Sequence, residues 1–450
     1  MKTTGLSKND AAPAKTIGWR PIVNNFDCAR LTLAIVVLLA TGVTGLFAGT
    51  AAFATTYYVG TGGSDTASGQ TEAEAFHSFA RAMSALKPGD RLVVESGHYD
   101  EPLNVTVSGT ADAPIEITGG KGSLPQLRDE AGAVVVNADY VRLSRLDAAS
   151  IGDDGNAILV EPGHHHVTIS DTVAHDSGCS GIGGLQTDYL TIRHNRVYGN
   201  AKRSPWQCSG ISIYQAANVD DRPGFHNVIS GNIVTGNMNL VPDPKLPPRS
   251  QGKTTDGNGI ILDDFHHEQV WRGRKTAPYT ATSLVENNVA IGNGGRGIEV
   301  SQSDGVTIRN NTVFHDLKDT HLLGDEFGEI RAIFAKDVRI FNNIMVPGDS
   351  ATYGLLAYEA RSIVADHNLV VGGRHPGYRA KAASLDWAAH NLIGTEAGFV
   401  DAGEKPDLHL TARSPAVGQG AGDQAPRNDL DGKSRPVSGA VDLGAYQLDH

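Results

Sequence analysis

The sequence predicts an all-β fold: a single-stranded parallel β-helix whose coils stack into one solenoid, with a short helix capping its N-terminal end. Three observations point there. Glycine and asparagine recur 14 residues apart, at Gly181 and Asn195, Gly297 and Asn311, Gly354 and Asn368, and Gly377 and Asn391. Glycine supplies 53 of 450 residues and aromatic residues only 6%, which suits many turns around a narrow interior. The length also passes the roughly 250 to 300 residues at which a single core stops growing, a limit that stacked repeats escape.

In chain order, residues 1–54 read as an export leader. Lys2, Lys8, Lys15, Arg20 and Arg30 precede an uncharged apolar stretch from Leu31, and Ala52-Phe53-Ala54 has the small-x-small form of a signal-peptidase site. Uncleaved, the same segment would anchor the chain in a membrane. Its five basic and two acidic residues, once removed, leave 33 basic and 48 acidic side chains and a formal charge of −15, which repels nucleic acid and anionic lipid. The expectation is a secreted or periplasmic monomer with no nucleic-acid partner and no membrane contact after leader cleavage.

Residues 55–132 make the cap and first coils. YYVGTGGSD reads as a strand and turn. In EAEAFHSFARAMSALKPGD, Phe76, Phe79, Ala80, Met83 and Leu86 recur at helical spacing until Pro88-Gly89 stops the run. RLVVESGHY, EPLNVTV and APIEITGG follow as strands separated by turn residues.

Residues 133–400 carry the coils. Ala157 to Asp171 and Glu329 to Asn343 keep the 14-residue interval with one end substituted, while Gly210 to Asn232 and Gly259 to Asn288 stretch it to 22 and 29. After the glycine, residues alternate as in Ile298, Glu299, Val300 and Ser301, and a second strand such as Val306-Thr307-Ile308 precedes the asparagine. Each unit of about 23 to 25 residues can bury its apolar face only by stacking on the next. The asparagines would then meet at an inward turn and bond in a ladder.

The same phase pairs the cysteines. Cys179 and Cys208 each lie two residues before a coil glycine, and so occupy one position on adjacent coils. Strand spacing puts them about 4.8 Å apart, inside the range for a disulfide. Cys28 leaves with the leader. Residues 401–450 form a closing segment.

Function is expected where coils are decorated. Insertions at 215–227, 236–258 and 264–283 fall on two consecutive coils and could wall a cleft over the strands that begin at Gly210, Gly259 and Gly297. If Ile211, Ile260 and Ile298 point inward, Ser212, Ile261, Glu299 and Arg331 form one outward row, Tyr214, Asp263 and Ser301 the next, and Gln215, Asp264 and Gln302 the strand exit. From Lys245 to Arg296, seven basic residues outnumber five acidic ones on an otherwise acidic chain, a rim that would draw a polyanion to this place. Asp256, Asp264 and Glu299 could hold Ca²⁺ through oxygen ligands.

YYVGTGGSD with AFHSFARAMSALKPGDRLVVESGHYDEPL resembles the N-terminal cap and first coil of right-handed parallel β-helix carbohydrate-active proteins, the pectate-lyase-like superfamily. PDLHLTARSPAVGQGAGD with DLDGKSRPVSGAVDLGAYQ is similar to their C-terminal segment. The resemblance implies the fold and an acidic polysaccharide as partner, and leaves the reaction open among lyases, hydrolases, epimerases and adhesins. The leading expectation is a polysaccharide lyase cleaving a uronate-containing glycan by β-elimination. Lys253 or His266 would be the base, Tyr214 the proton donor, and Arg296 or Ca²⁺ the neutraliser of the carboxylate. Arg331, Arg272, Arg274 and Gln215 would bind substrate. For hydrolysis, Asp263 or Asp264 would work with Asp256 or Glu299. The Gly-His-Gly and Arg-Ile-Lys of polygalacturonases and the Asp-Pro-His-Asp of mannuronan epimerases are absent from the sequence. A non-catalytic glycan-binding protein is the remaining alternative.

Overall fold

The computed structural model describes residues 54–270, 276–349 and 352–448. Its strands form three long parallel sheets, to each of which a coil adds one strand. In one coil, Ile298–Ser301 joins a first sheet of 10 strands, Val306–Arg309 a second of 12, and Thr312–Phe314 a third of 11. Residues alternate in and out along each strand, so the interior fills with small and branched apolar side chains. Ile211, Ile260, Ile298 and Ile330 stack in register at 0% exposure, one from each of four successive coils.

The corner between the second and third sheets is held by the asparagine ladder. The side-chain amide of each of Asn195, Asn232, Asn288, Asn311, Asn343 and Asn368 donates to the side-chain oxygen of the next, ending at Asn391, over 2.9–3.0 Å. The residue before every rung but the last, Asn391, takes the left-handed conformation, as at Asn287, Asn310 and Asn342 with φ of 54°, 51° and 57°; asparagine tolerates that region. The two members of an Asn-Asn pair therefore do different work, the first turning the chain and the second bonding between coils. One expectation is corrected here. Thr172 faces Asn195, its backbone N–H donating to that side chain, and Asp171 stands one residue earlier with the left-handed φ of 54°.

Cys179 and Cys208 are disulfide-bonded with Cα atoms 5.1 Å apart, as the coil register requires. At the N-terminal end the helix spans Phe79–Ala85, capped by the Ser78 hydroxyl, which accepts from the Arg81 N–H, and it buries Phe79, Ala82 and Met83. It starts later than the apolar spacing suggested. Phe76 instead bridges Val59 as an extended residue, and Ala80 faces solvent. Beyond the last coil the chain returns along the third sheet. There Leu408, Leu410, Leu443 and Ala445 bury Phe314, Ile344 and Leu369 in a second apolar cluster. Among the described residues no helix is long and apolar enough to cross a membrane. The leader expected at 1–54 lies outside the described residues but for Ala54.

Candidate active site

The outer face of the first sheet carries the site. Tyr214 pairs with Asp263 and Asp263 with Ser301; two residues nearer the strand start, Ser212, Ile261, Glu299 and Arg331 run in one line across four coils. Both rows follow the register expected from the alternation. Three loops surround them, at 215–224, 236–259 and 264–281, the last described up to 270 and from 276. Two adjoining hollows of about 670 and 820 Å³ share Asp256, Ile261 and Asp263, and together they form a cleft.

Its centre is a cluster of opposed charges. The Glu299 carboxylate is buried, accepts from Arg331 Nε at 2.9 Å and from Arg331 Nη2, and lies 3.6 Å from Arg296 Nη1. Burial opposes its ionisation, but the charges of Arg331 and Arg296 prevail and hold its pKa below the usual carboxylate value. Asp256 accepts from the Thr255 hydroxyl at 2.8 Å and from Asn258 Nδ2 at 3.0 Å, and burial together with the Glu299 charge pushes it up to about 6. Asp263 is pushed further, to about 8, by burial and then by the Asp256 charge. Arg296 is 1% exposed, its Nη1 donates to the Thr255 carbonyl at 3.1 Å, and its Nε and Nη2 have no partner. Burial and the Arg331 charge lower its pKa to about 10, so it stays a cation. The cleft thus holds a protonated carboxyl group beside an ionisable one, next to a buried guanidinium.

Other residues singled out in the sequence lie elsewhere. Gln215 and Asp264 are buried turn-makers with φ of 49° and 52°. Gln215 donates to Asp264 Oδ2 at 2.7 Å, and the Asp264 carboxylate accepts from the N–H groups of Glu268 and Gln269 at 2.8 and 3.0 Å, so both side chains hold the loop rather than face the cleft. Tyr214 does border the cleft; burial, then the charges of Asp264 and Asp263, raise its pKa, so it keeps its proton. His266 pairs with Asp304 at 2.9 Å, and neither it nor Lys253 lines the cleft. Lys245 does, with its ammonium 4.4 Å over the ring of Trp206. Arg249 from the same loop also reaches the cleft. Both stand in the basic run that marked this loop, but strand periodicity does not say which loop side chains turn inward. Arg272 and Arg274 lie outside the described residues.

Asp256, Asp264 and Glu299 do not make an open Ca²⁺ shell, because loop backbone occupies Asp264 and two guanidinium groups hold Glu299. Away from the cleft, Asp366, His367 and His390 each place a ligand atom within 4.8 Å of the others, a set that could chelate a metal ion. Nothing in that set favours Ca²⁺, which takes oxygen ligands.

Residues 126–384 match the family model described as the right handed beta helix region, more than half of the chain, and the protein belongs to that family. No curated protein matches the sequence. Among solved structures it is similar to pectate lyase Pel9A, at 17% identity and TM-score 0.49 over 88% of this chain and 98% of that one. It is also similar to an alginate lyase from a Paenibacillus species, at 16% identity and TM-score 0.40 over 68% and 95%. A third is the GH136 lacto-N-biosidase from Eubacterium ramulus, at 15% identity and TM-score 0.41 over 76% and 68%. At such identities the likeness concerns the coiled fold, and the reaction has to be read from this chain's own cleft.

Proposed function

We propose that the protein is a carbohydrate-active enzyme that cleaves glycosidic bonds in a uronate-containing polysaccharide, with hydrolysis as the reaction its cleft supports best. The observation that carries this reading is the carboxyl pair: Asp263, raised to about 8, and Asp256, raised to about 6, border one cleft with different proton affinities. Near neutral pH Asp263 would give its proton to the departing glycosidic oxygen, while the Asp256 carboxylate accepts one from the attacking water. Arg331 and the exposed Arg249 would bind a substrate carboxylate, with the buried Arg296 adding its charge from beneath.

Arg296 also favours a second reading, β-elimination, in which a guanidinium withdraws charge from the uronate carboxylate as the neighbouring proton leaves. Tyr214 would then protonate the leaving oxygen, and the Asp256 carboxylate, which borders the cleft as Lys253 does not, would take the proton. Incubating the mature protein with acidic polysaccharides separates the readings by product. Saturated reducing ends are expected; unsaturated uronate ends would replace hydrolysis by elimination, and binding without product would sink both.

A further inference from the structure

The cleft changes character along its length, and we propose that it reads two different sugars: an uncharged residue over the earlier coils and a uronate over the later ones, adjoining at the bond that is cut. This rests on the glycoside-cleaving reading above and names the substrate class within it. The outward row of the first sheet runs Leu159, Gly183, Ser212, Ile261, and then Glu299 and Arg331. The floor is therefore apolar or small on one side and charged on the other. Asp263 and Asp256 border both hollows, at the boundary.

The walls follow the floor. On the earlier side Trp206 and Val270 are 40% and 66% exposed, apolar surface that the C–H face of a sugar ring can cover. Lys245 is the cation there, seated over the Trp206 ring, and Asp154 and Asp243 border the same hollow, so a sugar carboxylate would find no net attraction. On the later side Arg249, Arg296, Arg331 and Lys381 stand with Glu299, Asp325 and Glu326, and Arg249 is exposed to the cleft while Arg296 lies buried beneath it. Gly183 leaves the earlier floor recessed: a Cβ there would stand 3.1 Å from Leu159 Cδ1. A larger side chain at that position would rise into the space that a ring must occupy.

The test uses the full mature chain and three sets of octasaccharides: all uronate, alternating uronate and neutral hexose, and all neutral hexose, each in galacto and gluco forms. The alternating chains should be cut with kcat/KM at least tenfold above the all-uronate chains, and mass spectrometry should find all new ends at one of the two kinds of bond, hexose-to-uronate or uronate-to-hexose; equal cutting at both kinds would overturn the inference. Gly183→Val and, as a surface substitution that spares the floor, Trp206→Ala should raise KM for the alternating chains tenfold or more and reduce the preference towards one. If wild type cuts all-uronate chains as well as alternating ones, or both variants leave the preference unchanged, the two-sugar inference fails and the cleavage reading survives. No turnover of any set would overturn the cleavage reading and this inference with it.

Discussion

Burial and the Asp256 charge push Asp263 up to about 8, so that near neutrality it holds the proton that a departing sugar oxygen needs. Activity should therefore fall as pH rises through about 8, where Asp263 ionises, and fall again below about 6, where Asp256 takes up a proton. A kcat/KM profile over this range is expected to be bell-shaped, and a flat profile would remove the pair from catalysis. The same group opposes stability at high pH. Between the ordinary aspartate value and about 8 the folded protein holds a proton that the unfolded chain has released, so stability declines as pH rises through that window. Asp263→Asn, which mimics the protonated acid, should lower kcat by about 10²-fold or more while raising the melting temperature above pH 8. Glu299 has the opposite sign: held low by Arg331 and Arg296, it adds stability above the ordinary glutamate value that is lost as pH falls through its depressed one. The environment of Asp263 is not visible in the residues around it in sequence, because Asp256 comes from loop 236–259 and Glu299 from the next coil; that of Glu299 is visible only in part, since Arg296 stands three residues before it but Arg331 comes from the next coil.

At the level of elements, the ladder explains why the coil period could be read at all. Turn geometry and an inward amide restrict two adjacent positions on nearly every coil, and they are repeated as Asn-Asn, His-Asn or Gly-Asn. Where threonine replaces the rung, at Thr172, the eye settles on Asp171 and the register slips by one. A second ladder, Asn200, Asn237, Asn293 and Asp316, lies five residues after the first, joined by side-chain bonds of 2.7–2.9 Å, and the recurring Gly-Asn dipeptides would have found it. The outward rows of the cleft were legible for the same reason, since alternation and register fix them. Lys253 and His266 were not, because no period governs the path of an inserted loop. Asn311 donates to Asn343, Val285 O and Arg309 O and accepts from Asn288, so Asn311→Ala strands several buried groups. A loss of about 2 to 4 kcal/mol is expected in urea unfolding. Asn391→Ala, at the half-buried last rung, should cost about 1 kcal/mol because water can replace the lost bonds. Equal losses would show that the rungs do not act together. The Cys179–Cys208 bond closes a separation of 29 residues, and Cys179 borders the cleft. Replacing both by serine should lower stability by about 3 to 4 kcal/mol in urea unfolding on the chain-entropy model, and an unchanged midpoint would show that the bond does not restrict the unfolded chain.

A solenoid has little to join its distant coils except neighbour-to-neighbour stacking, so stability would ordinarily be a sum of local terms. Here the returning C-terminal segment ties several coils together along the third sheet. Asn310 Nδ2 donates to the carbonyls of Asp442 and Gly444 at 3.3 Å, the Gly444 N–H donates to the Asn342 carbonyl at 2.7 Å, and the Ala445 N–H donates to the Thr312 hydroxyl at 3.0 Å. Buried Arg435 reaches Asn287 at 3.2 Å, another coil away. Leu443 is 0% exposed in the apolar cluster that includes Val289, Phe314, Ile344 and Leu369, residues of four coils. This surface belongs to a different sheet from the cleft, so the strap can brace the coils beneath the site without covering it. Leu443→Asp should then act at a distance. Inserting a charge into that cluster is expected to remove about 3 to 5 kcal/mol from global stability, in one transition. Amide exchange should quicken in the cleft strands Ile260–Asp263 and Ile298–Ser301 as well as in the tail. Faster exchange confined to the tail, with cleft strands protected as before, would mean that the segment folds onto a solenoid already stable without it.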